Sequence, residues 1–190
     1  MTGSYDAIVI GAGVGGMITA LRLAAAGRRV VICERNGVLG GKLAVYQRDG
    51  FSFDMGPSLL TIPEVFDDAF RAVGTTLAKE CQLVRLDPAF RYFWPDGSTV
   101  TFRDEPIATA EALEALRNGA GTEYLTYLER ARAIWQVSQR TFFAGEMSGT
   151  LSLLARMRSP RDLVRIDARR TLQSRAEQTF TDARLRQWLG

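Results

Sequence analysis

The stretch from Tyr5 to Lys42 constrains the fold of this 190-residue chain more than any other. It begins with a short apolar run, 6–10, which predicts a strand buried on both faces, as parallel sheets require. A glycine-rich hexapeptide, 11–16, follows at once and leads into apolar residues at helical spacing, which predict a helix over about 15–26. A second apolar run, 29–34, ends on a carboxylate. Strand, glycine turn, helix and strand in this order predict a βαβ unit of an α/β fold.

Gly11, Gly13 and Gly16 occupy the three glycine places of a G-x-G-x-x-G pattern, and each place has a steric reason. The first glycine allows a tight turn, the second lets a diphosphate approach the backbone, and the third lets the helix pack closely on the strand. The free amides and the positive dipole end of the helix point toward this turn. The pattern therefore predicts a dinucleotide site that also includes Ala12 and Gly15.

Glu34 ends the second strand, close to the spacing of about 20 residues at which an acid accepts hydrogen bonds from an adenosine ribose. A solvated acid at a strand end is the alternative for Glu34 alone. A glycine turn that binds no nucleotide is the alternative for the whole unit. The unit does not distinguish NAD from FAD, because this half of the site recognises only the adenosine diphosphate moiety that both cofactors carry.

A second glycine-rich loop, 35–42, follows Glu34 in place of an ordinary crossover helix. Its Gly40-Gly41-Lys42 segment offers backbone amides and a cation to a cofactor longer than the first loop can cover, which favours FAD. Here the chain resembles the FAD-dependent amine-oxidase and phytoene-desaturase superfamily, in which the acid is followed by a Gly-Gly-Arg or Gly-Gly-Lys segment along the FAD. The resemblance places Gly41 and Lys42 on the stretch between diphosphate and flavin. Arg35, the first residue of the same loop, is a further candidate for cofactor binding.

A predicted hairpin, 43–54, turns at Asp49-Gly50 and leads into a Gly-Pro-Ser segment. The run GFSFDMGPSLLTIPEVFDDAF, 50–70, is similar to the bacterial phytoene desaturase and carotenoid 3,4-desaturase branch, where an Asp-x-Gly-Pro segment passes beside the flavin ring. The resemblance therefore implies that Gly56, Pro57 and Ser58 lie at the ring. From the residues alone, Gly56-Pro57 is a rigid turn that either approaches a flat group or closes the hairpin.

The resemblance implies an FAD-dependent oxidoreductase that introduces conjugated double bonds into a lipophilic polyene such as phytoene. In that reaction a hydride leaves an allylic carbon for the flavin and a neighbouring proton is lost. Asp54 is a carboxylate near the implied ring position, but a turn-capping role is the better interpretation. No catalytic residue is assigned.

Other functions stay open from the sequence. One is another flavoenzyme of the same superfamily, an amine oxidase or a flavin-dependent carotenoid isomerase. Another is an inactive nucleotide-binding or interaction fragment. An NAD enzyme is disfavoured by the Gly40-Gly41-Lys42 loop.

Beyond the hairpin the pattern changes from α/β to α+β and mostly helical. The sequence predicts a helix at 63–73, strands at 82–86, 90–94 and 99–102, helices at 106–118 and 122–139, a loop at 141–150, and helices that begin near Ser159 and Asp182. We expect a Rossmann-like FAD-binding segment over 1–75 and the beginning of a substrate domain over 76–190. Proteins of the resembled family are much longer, so we expect a truncated chain that its own C-terminal part or a partner chain completes.

Composition restricts the chemistry further. The chain has no histidine, which removes serine–histidine hydrolysis and most zinc chemistry, and no metal site is expected. Cys33, at a strand position expected to be buried, and Cys81 indicate free thiols in a reducing, cytoplasmic compartment.

Residues 151–190 carry nine arginines against four acids, interleaved with leucines and other apolar residues. This composition is typical either of a solvated helical face over a core or of a surface that lies on anionic lipid. No recognised nucleic-acid module accompanies the basic charge, so no nucleic-acid partner is expected. A lipophilic substrate strengthens the second interpretation, so peripheral contact with the cytoplasmic membrane is expected.

Overall fold

In the computed structural model, which describes residues 4–145, 149–157 and 159–189, the chain forms two compact units. The first unit ends at Val84 and the second begins at Arg85, whereas the sequence predicted a division after residue 75. The first unit contains β1 (Ala7–Ile10), α1 (Val14–Ala25), β2 (Val30–Cys33), a 3₁₀ turn (Gly41–Leu43), β3 (Val45–Arg48), β4 (Phe51–Asp54), α2 (Pro63–Arg71) and α3 (Leu77–Glu80).

The βαβ unit has the predicted order and pairing. β1 and β2 are parallel, with a register that runs from Ala7 opposite Val30 to Ile10 opposite Cys33. The expectation of strands buried on both faces is wrong for the described chain, because Ile8 and Ile10 are 65% and 89% exposed. Successive strand residues point to opposite faces, and α1 packs on these strands while the face that carries Ile8 and Ile10 stays exposed. The thiol-bearing Cys33 is exposed as well.

The hairpin and the helix after it are close to prediction. β3 and β4 pair antiparallel around Asp49 and Gly50, whose φ angles of 51° and 83° are both in the left-handed region that a D-G turn uses. α2 begins with Pro63 in its first turn. An ion pair from Arg22 of α1 to Asp68 joins the two helices.

The predicted strand at 82–86 is wrong, since residues 81–86 have no regular structure. Its apolar residues Leu83, Val84 and Leu86 are exposed, and no neighbouring strand pairs with them in the described part of the chain. A segment with strand propensity forms a strand only when a partner strand and a half-buried surface are present, and this segment has neither. The short helix α3, immediately before it, was not predicted.

The second unit contains β5 (Phe90–Phe93), β6 (Thr99–Phe102), α4 (Pro106–Leu116), α5 (Ala120–Thr141), α6 (Thr150–Ala155), α7 (Pro160–Arg165), α8 (Leu172–Thr179) and α9 (Ala183–Leu189). β5 and β6 form the predicted antiparallel pair. The predicted loop at 141–150 is shorter than expected, because α5 extends to Thr141 and α6 begins at Thr150. Residues 146–148 of that prediction lie outside the described residues.

An aromatic cluster forms the core of the second unit. Trp188 of α9 stacks on Phe102 of β6 with ring centroids 4.8 Å apart, and it meets Tyr124 of α5 edge to face. Phe180 and Leu185 are 1% and 0% exposed within the same cluster. The last described helix is therefore an integral part of this core.

Many of the arginines in the C-terminal region pair with acids of their own unit. Asp167 accepts from Arg175, Arg170 and Arg130, and these hydrogen bonds, that from Arg175 foremost, lower the pKa of the Asp167 carboxyl to about 2. Arg184 binds Asp182 and Asp96. Much of the basic charge seen in the sequence is thus neutralised locally. Among the described helices, none is both long enough and apolar enough to cross a bilayer.

Candidate functional site

The first glycine loop joins β1 to α1 through a turn that favours glycine at position 11 and leaves no space for a side chain at position 16. Gly11 has a φ of 97°, and its amide donates to the carbonyl of Cys33 at 2.7 Å. A Cβ on Gly16 would lie 2.0 Å from the carbonyl oxygen of Gly11. The first turn of α1 therefore packs directly on the preceding loop, for the steric reason that the sequence pattern predicted.

The mouth of α1 is open. Gly13 is the N-cap of the helix, no side chain caps it, and the first turn contains no acid. The first amides of a helix lack intrahelical acceptors, and the dipole places positive charge at this end. A Cβ on Gly13 would meet nothing within 4 Å, and Gly15 is equally open. The position suits an anion that approaches the backbone closely.

Glu34 lies across the first loop. Its Oε2 accepts the amide of Ala12 at 2.7 Å, and its Oε1 accepts the amide and the side-chain Nδ2 of Asn36 at 2.8 and 3.0 Å. These hydrogen bonds, led by those from the amides of Asn36 and Ala12, lower the pKa of the Glu34 carboxyl. Glu34 is thus an anion fixed at the glycine turn.

The second glycine loop packs on the first. Gly40 forms a parallel bridge with Gly13, and its amide donates to the carbonyl of Ala12 at 2.9 Å. A Cβ on Gly41 would lie 3.2 Å from the Cα of Gly13. Gly40 and Gly41 have φ angles of 106° and 60°, so both use the left-handed region that favours glycine. The chain then turns through Lys42, whose side chain is exposed.

The Gly-Pro-Ser segment joins the same region through its glycine. A Cβ on Gly56 would lie 1.8 Å from the carbonyl oxygen of Lys42, and the amide of Met55 donates to Ala44 at 3.0 Å. Gly56 therefore lies against the backbone of the second loop. Pro57 and Ser58 follow it on the exposed surface.

The structure brings the predicted segments together. The helix mouth is formed by Gly11, Ala12, Gly13, Gly15 and Gly16. Glu34, next to Arg35, bonds to Ala12, and Gly41, next to Lys42, lies against Gly13. Gly56 in turn lies against Lys42. The sequence analysis assigned no binding role to Asn36, and it named Gly40 only as part of the Gly40-Gly41-Lys42 segment. The doubled glycine was a signal for Gly40, whereas a side-chain amide two residues after an acid is too common to single out Asn36.

The chemistry of this site is that of binding. It offers backbone amides, one carboxylate and the cation of Lys42, which suit a diphosphate and a ribose. Asp54 is exposed at the end of β4, opposite Val45. Among the described residues, the structure shows no hydrogen bond between the Asp54 side chain and the glycine loops. Such a site fits a reaction whose difficult step belongs to a bound cofactor.

Several known proteins are similar to this chain over most of its length. The family model described as flavin containing amine oxidoreductase matches residues 14–183. The chain is 37% identical over 182 residues to a zeta-carotene-forming phytoene desaturase of Myxococcus xanthus, covering 94% of this chain and 34% of that protein. It is 32% identical over 178 residues to a 4,4'-diapolycopene oxygenase of Methylomonas sp, covering 94% and 36%. It is 37% identical over 170 residues to a phytoene dehydrogenase of Streptomyces griseus, covering 85% and 33%. The chain thus spans about a third of the length of these relatives.

Replacing Gly16 by alanine tests the packing of α1 on its loop. The added methyl would meet the Gly11 carbonyl, so Gly16→Ala should lower the free energy of unfolding by roughly 1–3 kcal/mol, the usual cost of overpacking. Gly15→Ala is the matched control, because its Cβ meets open space and alanine favours a helix by about 0.5–1 kcal/mol. Urea unfolding measures both variants, and equal stabilities would contradict the close approach.

Proposed function

Because this chain belongs to the flavin containing amine oxidoreductase family, we propose that its first unit binds FAD across the two glycine loops. The observation that carries the proposal is the open mouth of α1, flanked by Glu34 on one side and by Gly40 and Gly41 on the other. An ADP moiety fits the first loop and the acid. The second loop packs on the first and extends the same surface, which gives a longer cofactor further backbone to contact.

Each predicted residue has a place in this proposal. The diphosphate lies at the first loop, over Gly11, Ala12, Gly13, Gly15 and Gly16. The adenosine ribose meets Glu34, and the remaining length passes Arg35, Gly41 and Lys42 toward Gly56, Pro57 and Ser58 at the ring. We further propose that β1, α1 and β2 are the beginning of a Rossmann-like fold, in which a second layer packs on the apolar face of Ile8 and Ile10 that is exposed here.

The roles of the chain's own residues follow from their chemistry. Backbone amides at the helix mouth bind the diphosphate without moving, and Glu34 orients the adenosine through its hydroxyls. The charge of Lys42 lies next to the linker, where it offsets phosphate charge. The flavin, once bound, accepts the electrons of substrate oxidation, and no residue here is assigned as the base.

We propose a lipophilic polyene as the substrate class of the whole protein. Support comes from relatives named phytoene desaturase, phytoene dehydrogenase and 4,4'-diapolycopene oxygenase, and from the similarity of the run 50–70 to that branch. The reaction on this reading is removal of two hydrogens from adjacent carbons to extend conjugation. An amine oxidase is the alternative that the family name supports.

Titration with FAD, followed by quenching of flavin fluorescence, tests the cofactor proposal. Gly13→Ala should fold as stably as the wild type, since its Cβ meets open space and its φ of −75° suits alanine. It should nevertheless bind FAD about 10-fold or more weakly, because the methyl occupies the approach of the diphosphate. Gly37→Ala, another open glycine of the same unit outside the assigned contacts, should leave the affinity unchanged.

A wild-type chain that binds no FAD would contradict the cofactor proposal. Wild-type affinity in Gly13→Ala would instead contradict the placement of the diphosphate at the helix mouth.

Anaerobic incubation of the FAD-loaded whole protein tests the substrate class. Phytoene in detergent micelles should bleach the oxidised flavin and give a product that absorbs at longer wavelength, as extended conjugation requires. A primary aliphatic amine should leave the flavin oxidised. Bleaching by the amine together with no change on adding phytoene would favour the amine-oxidase alternative.

We also propose that the arginine-rich region 151–190 of the second unit touches anionic lipid through its exposed apolar side chains, Leu151, Leu163 and Val164 among them. Leu151 is 82% exposed and Val164 is 77% exposed. The basic side chains Arg161 and Arg169 of the same region are exposed too, whereas Arg170 and Arg175 are held by Asp167. Exposed apolar residues beside basic ones suit the interface of an anionic bilayer.

Co-sedimentation with vesicles tests the lipid proposal. The wild type should bind phosphatidylglycerol-containing vesicles and not neutral ones, and Leu151→Glu with Val164→Glu should abolish binding. Ile107→Glu, at another exposed apolar position of the second unit, is the control that should still bind. Equal binding by the double variant and the Ile107→Glu control would contradict the lipid proposal. No binding by the wild type would contradict it as well.

A further inference from the structure

Asn36 and Asn118 are the two asparagines of this chain, and each stands in the tripeptide Arg-Asn-Gly. An asparagine followed by glycine loses its side-chain amide more readily than other asparagines do. The reason is steric, because no Cβ on the next residue hinders attack by its backbone nitrogen. The local sequence is the same at both sites, so a difference in their reactivity has to come from the fold.

The fold holds the peptide bond after Asn118 at both of its polar atoms. The carbonyl oxygen of Asn118 accepts from Nη1 of Arg117 at 2.6 Å. The amide of Gly119 donates to Oε1 of Glu114, also at 2.6 Å. Hydrogen bonds from the amides of Gly119 and Gly121 lower the pKa of the Glu114 carboxyl, so this acceptor is a weak base that leaves the proton on nitrogen. The Gly119 nitrogen would have to give up this hydrogen bond before it could attack.

The peptide bond after Asn36 has neither restraint. Within the described part of the chain, no hydrogen bond reaches the carbonyl oxygen of Asn36 or leaves the amide of Gly37. Both residues are exposed, and a Cβ on Gly37 would meet nothing within 4 Å. The side chain of Asn36 donates from Nδ2 to Glu34 at 3.0 Å, a bond that leaves Cγ uncovered. Solvent therefore reaches the atoms that would react.

From this contrast we propose that Asn36 deamidates spontaneously in the folded chain, whereas Asn118 is protected. The backbone nitrogen of Gly37 loses its proton to hydroxide and attacks Cγ of Asn36. A C–N bond forms, the Cγ–Nδ2 bond breaks, and Nδ2 leaves as ammonia after taking a proton from water. Water then opens the cyclic imide at either carbonyl and gives aspartate or isoaspartate. In sum, an amide and a water molecule become a carboxylate and an ammonium ion.

The product changes the segment that connects the two glycine loops. Isoaspartate carries the chain through its side-chain carbon, so an extra backbone atom is inserted between Glu34 and Gly40, both of which bond to Ala12. Either product also replaces the Nδ2 donor by a carboxylate beside Glu34, where like charges repel. Weaker binding of FAD follows, a consequence that rests on the proposed function, whereas the deamidation itself does not.

Timed incubation at mildly alkaline pH, followed by tryptic digestion and mass spectrometry, tests the proposal. Trypsin cleaves after arginine and lysine, so the two asparagines begin separate peptides, 36–42 and 118–130. In the native chain, deamidation should be about 10-fold or more faster at Asn36 than at Asn118. In guanidinium chloride the two rates should be nearly equal, because the tripeptides are identical. A digest at time zero corrects for deamidation during handling.

Two variants test the cause at each site. Gly37→Ala should slow the reaction at Asn36 about 10-fold or more without a change in the thermal unfolding midpoint, because its Cβ hinders only the attack. Glu114→Ala removes the acceptor of the Gly119 amide, so it should speed the reaction at Asn118 and leave the rate at Asn36 unchanged.

Equal rates at the two asparagines of the native chain, or a faster reaction at Asn118, would overturn the inference. The deamidated chain, separated by ion exchange, should bind FAD about 3-fold or more weakly than the intact chain. Gly37→Ala, incubated in the same way, should keep its affinity. Unchanged affinity in the deamidated chain would contradict the stated effect on the site. Failure of the fresh chain to bind FAD would overturn the proposed function, while the peptide map would still decide the deamidation.

Discussion

The backbone of Ala12 holds the candidate site together. Its amide donates to Glu34, its carbonyl accepts from Gly40, and the residue is only 1% exposed. One peptide segment thus ties the end of β2 to the first glycine turn and the first turn to the second loop. Because buried backbone groups need partners, neither bond is lost without cost, and the two loops keep their relative position before any ligand arrives. This preorganisation lets neutral hydrogen-bond donors, the backbone amides, serve as the anion site.

The parts of this arrangement that were predictable are those with a steric cause. Gly16 must be glycine because the Gly11 carbonyl occupies the place of its Cβ, and Gly56 must be glycine because of the Lys42 carbonyl. Such requirements leave a mark on the sequence at fixed spacing. The hydrogen bonds from Asn36 to Glu34 leave no such mark on the sequence. A hydrogen bond between near neighbours depends on rotamers that many residue types could adopt. The same limit applies to the strand expected at 82–86, whose apolar residues have the right propensity without a partner strand.

Burial was the least predictable property of the first unit. The apolar run of β1 suggested two covered faces, yet Ile8 and Ile10 are exposed while α1 packs on the strands. Apolar character says that a face is suited to burial, and only the neighbouring elements decide whether it is buried. In the second unit the arginine-rich sequence left two interpretations open for a related reason. Composition gives the number of charges, whereas the fold decides their pairing: it brings Arg130 of α5 and Arg175 of α8 to Asp167, which lies with Arg170 in the segment between α7 and α8.

A crystal structure of the chain with FAD bound is the most direct test of the central claim that its opening segment is an adenine-dinucleotide site. The account predicts diphosphate oxygens within hydrogen-bonding distance of the amides at the mouth of α1, next to Gly13, and a ribose hydroxyl on Glu34. A cofactor bound elsewhere, with the two glycine loops empty and Glu34 bonded only to groups of its own chain, would contradict it.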